Sequence, residues 1–200
     1  MRAAAVALAV SLLAGPARAD DGLSEDLDRY VRGEYAMNGV FVGVGALNLG
    51  AAAWMFADGG DFTRGMAWPF AVVGGVQATV GAVYLALTPG LHRRSRARLR
   101  VDREGYRREE GARIEGVVGA FPWFLSVDAA LVVAGGVLVS TGYGRGDDLI
   151  AGVGVGCLIT GAVELVLDAV TLGLARRHRD VLRGWSVGVG PGGVSVGAYY

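Results

Sequence analysis

The sequence predicts an all-α membrane protein: four transmembrane helices arranged as two tandem helical-hairpin repeats, with a short glycine-rich tail patterned as a β-hairpin. Three observations lead there. The first is composition, since 52 % of the 200 residues are hydrophobic and only 19 % are charged, with a mean hydropathy of +0.41. Such a balance belongs to bilayers rather than to water. The second is segregation of charge: residues 36–57, 65–91, 116–144 and 149–175 contain no charged side chain except Asp128, Glu164 and Asp168. Each stretch exceeds the roughly 20 apolar residues a helix needs to cross a bilayer. A soluble bundle of such helices would carry a charged stripe on each one. The third is internal repetition. Gly81-Ala82-Val83-Tyr84-Leu85-Ala86-Leu87 returns eighty positions later as Gly161-Ala162-Val163-Glu164-Leu165-Val166-Leu167. The same offset matches Gly39 with Gly119, Phe41 with Phe121, Ala71 with Ala151 and Val73-Gly74 with Val153-Gly154. Repetition of this kind is a signature of membrane folds built from duplicated units.

Taken in order, residues 1–19 have the form of a secretory signal: Arg2, a short hydrophobic run, then Ala17-Arg18-Ala19 ahead of Asp20. Residues 20–35 are a polar lead-in, predicted to be helical from about Ser24. The first hairpin repeat, 36–91, has two spans joined by Asp-Gly-Gly-Asp, and the second, 116–175, has two joined by Gly-Arg-Gly-Asp-Asp. Aromatic residues mark the interfaces, with Trp54 and Phe56 late in the first span, Trp68 and Phe70 early in the second, and Phe121, Trp123 and Phe124 early in the third. Between the repeats, residues 92–115 form an arginine-rich connector, read as an exposed helix broken near Gly105 and Gly111. Residues 176–200 are basic and then glycine-rich. Val187, Val189, Val194 and Val196 alternate around Pro191-Gly192-Gly193, which suggests a hairpin, and an unstructured tail competes with that reading.

The glycine content, 34 residues, suits close backbone approach between membrane helices. Cys157 is the single cysteine, so an intramolecular disulfide or a multi-cysteine metal site is excluded.

Orientation signals conflict. Residues 91–113 hold nine arginines against four acids, and the positive-inside rule places such a connector in the cytoplasm. A cleaved signal leaves Asp20 outside, and two spans then export the connector. The reading adopted from sequence keeps the signal.

Asn48, Tyr84, Asp128 and Glu164 lie at comparable depths, about 18 Å into their spans for the two acids, and form an expected intramembrane polar layer. Cys157, Gly161, Glu164, Asp168 and Thr171 share one helical face, as do Gln77, Gly81, Tyr84 and Thr88. A carboxylate at mid-span costs about 2.5–3.5 kcal/mol on insertion scales, so each needs a partner, water or a proton. Asp128 and Glu164 are accordingly either a proton- or cation-handling pair or protonated ties between helices. Asp168 is expected to be structural and to reach toward arginine.

His92 and His178 sit in arginine clusters and are expected on solvated faces. No catalytic, cofactor-binding or metal-binding constellation is found. The functional expectation is a non-enzymatic multi-pass protein of the bacterial inner membrane, a structural or assembly partner in the cell envelope. The alternative is a small homo-oligomeric transporter or channel subunit using Asp128 and Glu164. Expected partners are membrane lipid and a second copy or another membrane protein, with no nucleic acid.

Overall fold

A computed structural model describes residues 22–190 and 193–198. Residues 1–21, on which the expected signal segment falls, residues 191–192, where the hairpin turn is expected, and residues 199–200 lie outside the described residues. Four helices account for most of the chain: α1 (Gly22–Asp58), α2 (Asp61–Val101), α3 (Arg103–Arg145) and α4 (Asp148–Leu182). Each contains a window apolar enough to cross a membrane, and the protein is a multi-pass, four-helix membrane protein.

At 35 to 43 residues, the helices run about 50–65 Å, well beyond a hydrocarbon core of about 30 Å. Polar ends continue the apolar spans without a break. The lead-in is therefore the first third of α1, and the arginine-rich connector is the end of α2 and the start of α3. The breaks expected at Gly105 and Gly111 do not occur. The chain reverses at Asp102 instead, whose Oδ1 accepts the Gly105 N–H at 2.8 Å and whose own N–H reaches the Arg98 carbonyl at 2.8 Å. One carboxylate thus caps the start of α3, in the position where Asp satisfies otherwise orphaned amides. Arg98 bonds Glu109 across the reversal at 3.0 Å.

The α3–α4 turn is built on Gly146, with φ at 65°. The Asp147 N–H returns to the Gly142 carbonyl at 2.9 Å, and the Asp147 side chain accepts from the Ile150 N–H at 3.0 Å. A left-handed residue after a helix favours glycine because it has no Cβ to clash.

The chain divides into two compact units. One gathers the described parts of Met1–Tyr35, Thr88–Phe121 and Val170–Tyr200. Its core is large and apolar in the manner of a water-soluble bundle: Leu27, Tyr30 and Val31 from α1, Leu99 from α2, Tyr106 and Ile114 from α3, Ala175 and Leu182 from α4. On α1 these follow three- and four-residue spacing, which puts them on one stripe. Burying a side chain such as Ile114 contributes about 1.5–3 kcal/mol.

The other unit, Ala36–Leu87 with Pro122–Ala169, inverts that pattern. Its buried side chains are mostly small, including Ala52, Ala67 and Ala151, while Leu47, Trp54, Val72, Trp123 and Val133 are exposed. Large apolar groups outside and small ones inside are what lipid demands. Glycines set the contacts. A Cβ on Gly45 would meet Ala78 N at 2.5 Å, and one on Gly74 the Gly45 carbonyl at 2.9 Å. In α4, Gly154 is as close to Val139 N at 2.5 Å, Gly156 lies against Met66 and Pro69 of α2, and Gly152 lies against the Phe62 carbonyl. Helix α4 thereby touches both α2 and α3 backbone to backbone.

After α4, strands β1 (Trp185–Gly190) and β2 (Gly193–Ala198) pair antiparallel, Trp185 opposite Ala198 and Gly190 opposite Gly193.

Candidate functional site

The four residues of the expected polar layer fall into different surroundings. Asn48 on α1 donates through Nδ2 to Gln77 Oε1 on α2 at 2.9 Å. Tyr84 is about half exposed, at 53 %. Asp128 on α3 is buried, and Glu164 and Asp168 of α4 stand near it. Asp128 Oδ2, Glu164 Oε1 and Gln77 Nε2 are buried without a hydrogen-bond partner.

The most heavily buried polar cluster lies elsewhere, in the unit with the large apolar core. His178 on α4 is 2 % exposed, which corrects the expectation of a solvated histidine. Helical spacing continues the face of Asp168 and Thr171 through Ala175 to His178, so the ring points inward with that stripe. Its Nδ1 is 2.6 Å from Asp26 Oδ2 on α1, and its Nε2 is 3.4 Å from Glu110 Oε1 on α3. The Tyr30 ring lies parallel to it, 4.2 Å between centroids and 6° between planes. Arg113 completes the group: it donates to Glu110 at 2.6 and 3.1 Å, approaches Glu34 at 3.9 Å, and stands 5.7 Å above Tyr30.

Electrostatics follow from burial against pairing. Burial by itself lowers the affinity of His178 for its proton, but hydrogen bonds to Asp26 and Glu110 outweigh it and the pKa rises. For Glu110, burial pushes upward, and the bonds from His178 and Arg113 win, holding it near about 2. Arg113 is likewise pulled above its ordinary range once Glu110 offsets burial. Tyr30 and Tyr106 are raised, first by burial and then by the neighbouring acids.

No family model matches the chain, and no curated protein or solved structure matches it.

The chemistry of the cluster must be read from its own geometry. Both ring nitrogens of His178 face carboxylates and one face of the ring is covered by Tyr30, so the imidazole has no free edge to present to a substrate. It is a tie joining α1, α3 and α4. The second histidine, His92, is part-buried, 3.8 Å from Asp28, with Nδ1 buried and unbonded. It lines a narrow cleft with Tyr30, Glu34, Ser95, Glu110 and Arg113. Among the described residues, no group of three or more His, Cys, Asp or Glu is arranged to hold a metal ion. Sequence reasoning missed His178 and Asp26. The available signal was the continuing stripe on α4 and the four-residue spacing of Asp26, Tyr30 and Glu34 on α1.

Proposed function

We propose that the protein is a non-enzymatic scaffold of the bacterial inner membrane, inserted behind a cleaved signal segment, whose bundle serves as a structural or assembly partner for other envelope proteins or for a second copy. One observation supports this above the others: α1–α2, α2–α4 and α3–α4 meet through glycine at backbone distance, which leaves these seams no room for a lined pathway. The large apolar side chains outside supply surface for lipid and neighbouring helices.

The chain is further read as two hairpin repeats. Recurrent contacts favour this: Gly81 lies against the Asn38 carbonyl and Gly161 against the Asp128 carbonyl, as Gly45 lies against Gly74 and Gly135 against Gly154. In the second helix of each hairpin the offset is the eighty positions of the sequence, whereas in the first it is ninety, so Asn38 rather than Asn48 is Asp128's counterpart in packing. The β1–β2 pair is assigned to the same assembly role, since a two-stranded hairpin gains stability only against a partner.

A proton- or cation-handling role is the second reading, favoured by the Asp128–Asp168 carboxyl pair with Glu164 beside it. Proteoliposomes under a pH gradient separate the two. The scaffold reading expects proton flux no greater than in protein-free vesicles, and flux abolished by Asp128→Asn with Glu164→Gln in a folded protein would refute it.

A further inference from the structure

Several arginines without a carboxylate partner stand at the ends of the apolar spans. In the unit with the large core, Asp26 is paired with His178, Asp28 with Arg96 and His92, and Glu34 and Glu110 with Arg113. Arg32, Arg94 and Arg176 are exposed and have no carboxylate partner among the described residues. Arg93 is exposed and bonds only the Pro89 carbonyl, at 3.3 Å.

Their level is the decisive point. Arg32 precedes the first span by four residues, Arg93 and Arg94 follow the second directly, and Arg176 follows the fourth. All lie within about 6 Å of helix from the hydrocarbon boundary, inside a headgroup layer about 5–8 Å deep. By contrast, Arg100 is about 14 Å of helix beyond Leu91, farther than the screening length of about 8 Å.

We propose that Arg32, Arg93, Arg94 and Arg176 form a girdle that binds the phosphates of anionic phospholipid in the adjoining leaflet. Guanidinium suits this ligand because it pairs with phosphate oxygens in a bidentate manner and keeps its charge.

The test is native mass spectrometry of the detergent-purified full chain offered phosphatidylglycerol against phosphatidylcholine. The wild type is expected to retain phosphatidylglycerol preferentially. R32Q and R176Q, at exposed unpaired positions, should each lower that preference about fivefold, while R100Q/R103Q/R107Q/R108Q leaves it within twofold. Circular dichroism on each variant separates lost binding from lost helix, and the single substitutions carry the test if a combined girdle variant does not fold. Equal retention of the two lipids, the same loss from the distal variant, or displacement of phosphatidylglycerol by an equal concentration of inorganic phosphate would overturn the assignment.

Discussion

Replacing His178 by alanine removes the only base between two buried carboxylates. Asp26 and Glu110 are 3 % and 6 % exposed, so neither can recover its hydration in place. Breaking a buried ion pair from one side costs about 3–5 kcal/mol, and the lost ring stacking on Tyr30 adds about 0.5–1.5 kcal/mol. A total near 4 kcal/mol is a large share of the stability of any domain this size. The assay is urea unfolding of the detergent-solubilised protein, with hydrogen exchange read on α1, α3 and α4 near the cluster. His178→Phe is the companion: it keeps a ring against Tyr30 but leaves Asp26 without its partner and Glu110 with Arg113 alone, and should recover little. The pH dependence has a definite sign. His178 has a raised pKa in the folded state, so its contribution is complete below about 6.5, the ordinary histidine value, and is lost as pH rises through the folded value. Glu110 is depressed from 4.5 to about 2, so its contribution is present above 4.5 and is lost as pH falls from there toward 2. The gap between wild type and H178A should therefore be widest between about pH 4.5 and 6.5 and shrink on the alkaline side. A loss under 1 kcal/mol at pH 6, or a gap that widens above pH 7, would refute the reasoning.

Other outcomes follow from the same geometry. Gly152→Ala places a methyl against the Phe62 carbonyl and should destabilise the bundle by about 1–3 kcal/mol, read as a lower midpoint in SDS-induced unfolding. Gly146→Ala puts a Cβ at φ 65° and should cost about 1–2 kcal/mol without altering helix content by circular dichroism. Asn48→Leu removes one interhelical hydrogen bond, worth about 0.6 kcal/mol and at most about 1.7 in a membrane, so its midpoint should move less than that of Gly152→Ala.

The four spans were legible because charge and hydropathy act locally: nothing in residues 36–57 or 65–91 offers water an ionic group. Helix ends were less legible. Gly105 and Gly111 weaken a helix by propensity, yet the packing of Tyr106 and Ile114 into a shared core overrides them, and the reversal falls on Asp102, where a side chain can cap. His178 was misplaced because its neighbours in sequence are arginines, whereas its environment comes from residues far back in the chain. Asp168 was judged by nearness to the span end, whereas Asp128, which stands near it, lies on another helix.

The glycine seams also bear on how the bundle is made. Chains emerge N-terminus first, at about 5–20 residues per second, so α1, α2 and α3 are in place before α4. Until it arrives, the α2 surface around Phe62 and Met66 and the α3 surface around Gly135 and Val139, which Gly152, Gly156 and Gly154 of α4 later cover, lie open. The last helix therefore acts as a keystone: a ribosome stalled before Asp148 leaves an unfinished arch with two open grooves, each available to a foreign membrane helix or a protease until synthesis resumes.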